Sequence, residues 1–256
     1  ISELVCVACV PERPVACDEK PGKISDMFKA LFKNDQAMTV VVSIILVYTS
    51  LNICGNLVLY FFRFDVGNEG AYSIFAAVAF AAQVLVMMVI PLLRKRFSKS
   101  QLFISGFIIQ ISGFAVILIM AFAKLYTPQS WYILCLPGIL IYLGYGMLNV
   151  IMTIFLSDSV DYGEVMNGTR EESVIFSMQT FTVKLASGVA VFLAGLVVDW
   201  IHLDTAAAVQ TQDTLDALRM WMTIPSVILL IVGIFVFKRF YKLDDARMEE
   251  IKSKLN

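Results

Sequence analysis

The side chains best suited to charge chemistry are gathered in residues 158–187, which fall into three parts. The first part closes an apolar segment with three carboxylates: Asp158, Asp161 and Glu164. A short polar loop containing Arg170 follows, and a second apolar segment then carries one cation, Lys184, near its middle. A cation in an apolar segment pairs with an anion or faces a polar cavity, so its role depends on the elements that position it.

The sequence as a whole is too apolar for a soluble domain. Hydrophobic residues make up 59% of the 256 residues and charged residues 16%, whereas soluble domains have about 45–50% and about 25%. The apolar residues form six blocks, each near the roughly 20 residues that a membrane-spanning helix requires. These blocks are residues 37–62, 71–93, 101–123, 131–156, 173–198 and 218–237. We therefore predict an all-α membrane protein with six transmembrane helices.

The blocks divide the chain into three regions. Residues 1–36 are predicted to be a cytoplasmic leader with an interfacial helix at 24–32, residues 37–237 the bundle, and residues 238–256 a cytoplasmic tail. Lys and Arg concentrate in the leader, in the tail and in the loops on the same side, and the other side carries three: Arg63, Lys124 and Arg219. The positive-inside rule therefore places both termini in the cytoplasm. Each tryptophan then falls at the outer end of a block, where the interface favours it.

Two blocks carry polar residues along one face. In the first block they recur every four residues and therefore share one side of a helix: Tyr48, Asn52, Asn56 and Tyr60. The fourth block has a similar set: Tyr142, Tyr145, Asn149 and Thr153. Such a stripe either packs on a neighbouring helix through hydrogen bonds or lines a water-filled cavity. The two amides and two phenols of the first block favour the cavity.

Lys184 lies about 16 Å into the fifth block at 1.5 Å per residue, which is near the bilayer centre. A lysine there costs roughly 2.5–3.5 kcal/mol and usually faces a cavity or a partner. It belongs to a polar stripe with Ser177, Thr180 and Ser187. No other block has Asp or Glu at mid-depth. Either burial keeps this lysine neutral, or an acidic partner comes from another chain or from a further half of the protein.

The carboxylates that follow the fourth block need compensation, because negative charge at a helix C-terminus opposes the helix dipole. Arg170 is the local candidate. Basic groups on an opposing bundle would instead make the cluster a cytoplasmic gate. We favour the gate over a solvated helix end.

The cysteines and the single histidine form no catalytic or metal-binding pattern. Two cysteines lie in apolar blocks and three in the leader: Cys54, Cys135, Cys6, Cys9 and Cys17. Cys6 and Cys9 have the spacing of half a zinc site, but no second pair follows, and a structural site requires four ligands. His202 lies in an outer loop. We therefore expect neither enzyme activity nor a metal, and no nucleic-acid partner.

The motifs around the charged residues resemble the glycoside-pentoside-hexuronide:cation symporter family, which includes melibiose permease. The resemblance is carried by D-S-V-D-Y-G-E at 158–164, by Arg170 and by S-M-Q-T-F-T-V-K at 177–184, with F-K-N-D at 32–35 in support. It implies the C-terminal six-helix bundle of a twelve-helix transporter of the major facilitator type. A sugar would bind between that bundle and an N-terminal one.

The resemblance also implies roles for particular residues. Lys184 would lie beside the sugar and the cation, with three residues near the sugar: Gln179, Thr180 and Val183. The gate network would consist of Asp158, Asp161, Glu164 and Arg170. Melibiose permease has a tryptophan where this chain has Asn149, which suggests a different sugar. The carboxylates that bind the coupling cation would lie in the other half.

We therefore expect a sugar or glycoside symporter of the cell membrane, coupled to Na⁺ or H⁺ and operating by alternating access. The first residue is Ile1 rather than Met, as expected if the sequence starts within a longer protein. The expected partners are the sugar, the cation, an N-terminal six-helix half and lipid. The alternative is a stand-alone six-helix protein that oligomerises as a channel or scaffold.

Overall fold

The computed structural model describes residues 32–168, 172–207 and 209–255. The predicted helix at 24–32 lies outside these ranges except for its last residue. Arg170 and the three leader cysteines lie outside them as well. The described helices are α1 (Asp35–Tyr60, continued by a π-helical turn, Phe61–Val66), α2 (Ala71–Leu93), α3 (Lys99–Phe122), α4 (Cys135–Asn167, preceded by a 3₁₀ turn, Trp131–Leu134), α5 (Glu172–Trp200), α6 (Gln212–Phe240) and α7 (Asp245–Leu255).

Helices α1 to α6 are each long and apolar enough to cross a bilayer. The prediction of an all-α protein with six transmembrane helices is therefore confirmed. The seventh helix is short and lies in the region predicted as the tail, where its apolar residues pack on α4 through Tyr162. The protein is thus a multi-pass membrane protein with a helical segment attached at one end.

Two helix boundaries are set by local capping signals rather than by the ends of the apolar blocks. Ser98 begins α3 with a capping box, because its hydroxyl accepts from Gln101 N while the Gln101 side chain accepts from Ser98 N. Helix α4 runs eleven residues past the predicted block and ends at Gly168, whose φ of 73° suits glycine. The carboxylate cluster therefore lies within the last three turns of α4, at the end of the helix as predicted.

Helix α1 is the most buried of the six spans and packs against α4, α5 and α6. Helix α3 fits between α4 and α6, and α2 packs on α4. The α3–α4 contact is close because small residues face each other. A Cβ on Gly144 would lie 2.6 Å from the carbonyl oxygen of Gly106, so the approach requires glycine there.

The antiparallel helices give the bundle two ends, which we name by one residue each. The Lys99 end contains the start of α1, the start of α3, the end of α4 and helix α7. The Arg219 end contains the π-helical turn after α1 and the start of α6. The polar faces of α1, α4 and α5 lie between these two ends.

Candidate functional site

Three of the predicted site residues meet where α1 faces α4. The Asn149 amide Nδ2 donates to the Tyr48 hydroxyl at 2.5 Å. The rings of Tyr48 and Tyr145 pack edge to face, with centroids 5.4 Å apart. Tyr48 and Asn149 are half-buried, so this group combines apolar ring surface with polar atoms within reach of a ligand.

The polar face of α4 continues onto α5. Thr153 Oγ1 donates to the Asn149 carbonyl oxygen at 3.1 Å, and Gln179 Nε2 donates to Thr153 Oγ1 at 3.4 Å. Thr180 is exposed and donates to the Phe176 carbonyl oxygen one turn earlier. The structure thus brings Gln179 next to the Asn149 group.

The predicted stripe on α1 is held partly by its own helix. Asn52 Nδ2 donates to the Tyr48 carbonyl oxygen, and Asn56 Nδ2 donates to the Asn52 carbonyl oxygen, both at 2.7 Å. Both side chains remain half-buried. The last member, Tyr60, stacks on Phe64 with a centroid distance of 6.5 Å. The stripe therefore reaches from the Tyr48 group towards the Arg219 end.

Lys184 lies at position 13 of the 29-residue helix α5 and is exposed on the surface of the bundle. Within the described ranges, its ammonium group has no hydrogen-bond or ion-pair partner. Ser177 and Thr180 are exposed on the same side of α5, whereas Val183 is half-buried and packs on the core. The first alternative for Lys184 was burial that keeps it neutral. The structure does not show the side chain buried among the helices of this chain.

Asp158 has a partner that sequence reasoning missed. It forms a buried ion pair with Lys99, and each of the two residues is 5% exposed. Lys99 also lies 3.4 Å from Asp245 of α7. The available signal was the position of Lys99 in the first turn of α3, where the helix dipole disfavours a cation and a carboxylate partner is therefore expected.

Two motifs of the sequence meet at the same end. Asn34 Oδ1 caps α1 by accepting from Ala37 N, and Asn34 Nδ2 donates to the Ser159 carbonyl oxygen at 2.8 Å. A Cβ on Gly163 would lie 2.8 Å from Asn34 Nδ2, so glycine makes room for the contact. Asp161 and Glu164 are half-buried on the same stretch of α4.

A second charged network at the Arg219 end was also missed. Arg219 donates from Nε and Nη2 to the two oxygens of Asp65 at 2.8 and 2.5 Å, and both side chains are nearly fully buried. The Tyr126 hydroxyl donates to Asp65 at 2.6 Å, and burial, reinforced by that carboxylate, raises the pKa of Tyr126. The available signal was the position of Asp65 and Arg219 at the ends of apolar blocks, because a charge buried there is costly without a partner.

Six apolar helices with a polar face across three of them define a membrane protein that can present a hydrophilic surface inside the bilayer. The model of the MFS/sugar transport protein family matches residues 5–245. The chain belongs to this family of membrane transporters. This confirms the resemblance to the glycoside-pentoside-hexuronide:cation symporters, and the family consists of transporters rather than enzymes, as predicted.

Several curated relatives are similar along most of the chain. A symporter of Bacillus subtilis (strain 168), described as uncharacterized, is 24% identical over 98% of this chain and 54% of its own length. The raffinose carrier protein of Pediococcus pentosaceus is 23% identical over 91% and 35%. The isoprimeverose transporter of Lactiplantibacillus pentosus is 25% identical over 88% and 46%. The chain thus spans about half the length of these relatives or less.

Proposed function

We propose that this chain is the C-terminal half of a sugar or glycoside symporter driven by Na⁺ or H⁺. The observation that carries the proposal is Lys184, a cation in mid-helix on an exposed polar face, with no partner among the described residues. A charge at that depth is costly without a partner or a polar cavity. A second bundle that supplies an anion and encloses a polar ligand would meet both needs.

The face of α5 around Lys184 has room for such a bundle. At 100° per residue, Gly188 and Gly195 lie within about 40° of Lys184 around the helix. A Cβ built on either glycine would meet no atom within 4 Å. Small residues let membrane helices approach closely, so this face suits a packing partner. The partial coverage of the relatives supports the same proposal.

In this proposal the sugar binds between the bundles, at the polar face built by Tyr48, Asn149 and Gln179. Sugar hydroxyls would exchange hydrogen bonds with the two amides and the phenol, and the ring of Tyr145 would supply apolar contact. The coupling cation would bind carboxylates of the other half close to Lys184. Cation and sugar would then raise each other's affinity equally, because binding coupling is reciprocal.

The Lys99 end would face the cytoplasm of a cell membrane, since Lys and Arg concentrate there. Asp158 already has Lys99 as a partner. Asp161, Glu164 and Arg170 would contribute to a charge network between the two halves. Alternating access would open and close this network as the bundles rock about the central site.

Counterflow tests the proposal. The full-length protein would be reconstituted in vesicles preloaded with unlabelled raffinose or isoprimeverose, and entry of the same labelled sugar would be measured with and without Na⁺. We expect a transient overshoot for at least one sugar that strengthens with Na⁺ or with a change of pH. Entry without any overshoot would support the channel alternative and contradict the symporter.

A further inference from the structure

Helices α5 and α6 both pack on α1. Between them lies a hydrophobic groove of about 520 Å³, and a second pocket of about 190 Å³ adjoins it. Ile53 of α1, Leu193 of α5 and Trp221 of α6 line both. The groove is open outward, since Leu193 is 37% exposed and Ile228 on the opposite wall 54%.

The groove has the depth of one membrane leaflet. Along α6 its lining runs from Met220 to Leu229, which is about 14 Å at 1.5 Å per residue. Half of a hydrocarbon core of about 30 Å is about 15 Å. At the shallow end, the rings of Trp200 and Trp221 lie 5.1 Å apart. Tryptophan prefers the membrane interface, so the groove runs from the interface towards the bilayer centre.

The groove faces away from the polar side of α5. Leu193 follows Lys184 by nine residues, which places the two about 180° apart around the helix. A bundle that covers the Lys184 face therefore leaves the groove uncovered. What lies against an uncovered apolar surface at this depth is the acyl chain of a lipid.

We propose that this groove binds one acyl chain of a membrane phospholipid, in the leaflet at the Arg219 end. The hydrophobic walls offer nothing to a sugar or a headgroup but make many dispersion contacts with a chain that follows their shape. Such a lipid would hold α5 and α6 at a fixed separation. The proposal requires the membrane-spanning bundle but not the transport activity.

Photo-crosslinking in vesicles tests the proposal. The full-length protein would be reconstituted with phosphatidylcholine that carries a diazirine on one acyl chain, and labelled residues would be mapped by mass spectrometry. Ile228 and Ile231 provide an internal comparison, because both are 54% exposed on α6 and only Ile228 lines the groove. We expect about threefold or more labelling at Ile228 over Ile231, since many small contacts favour the groove.

A pair of matched variants adds a second readout. Ile224→Trp would fill the groove and lower labelling of its walls about threefold or more, whereas Ile231→Trp would leave that labelling unchanged. Equal labelling of Ile228 and Ile231 in the unmodified protein would mean ordinary boundary lipid and would overturn the proposal. Crosslinks from the groove to a second copy of the protein would overturn it as well. Both readouts are independent of transport, so they stand whether or not the symporter proposal does.

Discussion

The two ends of the bundle hold their buried charges in different ways. At the Arg219 end, the Arg219 guanidinium donates to both oxygens of Asp65 and also to Asp216 at 2.6 Å. Tyr126 adds a further bond to Asp65. Arginine presents its donors in a planar fork that matches a carboxylate, so this network fixes α1 to α6 in one arrangement.

The Lys99 end is built from a point charge instead. The ammonium group of Lys99 is shared between Asp158 and Asp245, and Arg94 approaches Asp245 at 3.5 Å. Beside it lies a pocket of about 240 Å³ whose lining includes Asp35 and Arg247. A compact ammonium group on a long stem changes partners more readily than a bidentate arginine. The contrast indicates that the Arg219 network is the more rigid of the two and that the Lys99 network can exchange partners more readily.

Removing Arg219 should produce the largest effect. Arg219→Leu leaves Asp65 buried without its cation, and breaking a buried pair costs about 3–5 kcal/mol. We expect a large fall in the unfolding temperature of the purified full-length protein, with partial recovery in the double variant Asp65→Leu/Arg219→Leu. The control is Arg63→Leu at the same end, where the side chain is 43% exposed and lies 3.7 Å from Glu69. An effect of Arg219→Leu no larger than that of the control would remove the distinction between the ends.

Neutralising Asp158 should cost less. In Asp158→Asn, Lys99 keeps Asp245 within 3.4 Å, so we expect a loss of about 1.5–3 kcal/mol, typical of a hydrogen bond to a charged group. Asp245→Asn, at a carboxylate with a 44% exposed side chain, should cost under about 1 kcal/mol. The unfolding temperatures of the two variants, compared with that of the unmodified protein, check the order of these two losses. If Asp158→Asn were as damaging as Arg219→Leu, the Lys99 end would be as rigid as the other.

Gly163→Ala tests how the two motifs are joined at the Lys99 end. The added methyl group would displace Asn34 Nδ2 and break its bond to Ser159, a loss of about 1 kcal/mol. The higher helix propensity of alanine offsets this by up to about 1 kcal/mol, so the net change in the unfolding free energy should be small. Asn34→Ala in the Gly163→Ala background should then add less than it does alone. Strictly additive losses in the unfolding free energy would show that the two residues do not interact.

Gln110 lies between the ends and should give the smallest effect. It is fully buried on α3, and neither its amide oxygen nor its nitrogen has a partner among the described residues. Replacing an unpaired buried amide with an apolar group of similar size is neutral or stabilising. We expect Gln110→Leu to change the unfolding free energy by no more than about 1 kcal/mol in either direction. A clearly larger loss would reveal a hydrogen-bond partner.

The fold was predictable because hydropathy is a local property. Each membrane helix was predicted from its own residues. The predicted fourth block ended before the helix does, because charged residues interrupt the apolar run before the helix stops. The partners of those charges come from distant parts of the chain: Lys99 is 59 residues from Asp158, and Asp65 is 154 from Arg219. Pairing over such distances depends on how the helices pack, which a pattern along one helix does not contain.

The candidate site was predictable in part for the same reason. Four-residue spacing identified the polar faces of α1 and α4, but the hydrogen bond from Asn149 to Tyr48 joins residues 101 apart and required the packed bundle. For Lys184, spacing predicted the depth. The sequence left open whether the side chain is buried or is paired with another chain or a further half, and the packed bundle was needed to place it on the outside.

The most direct test of the central claim is ion-driven sugar accumulation by the full-length protein with Lys184 replaced. We expect Lys184→Ala to abolish accumulation above equilibrium while the protein still inserts and folds. The control Lys124→Ala, at an exposed loop lysine bonded to Gln212, should accumulate sugar like the unmodified protein. Undiminished accumulation by Lys184→Ala vesicles would contradict the account.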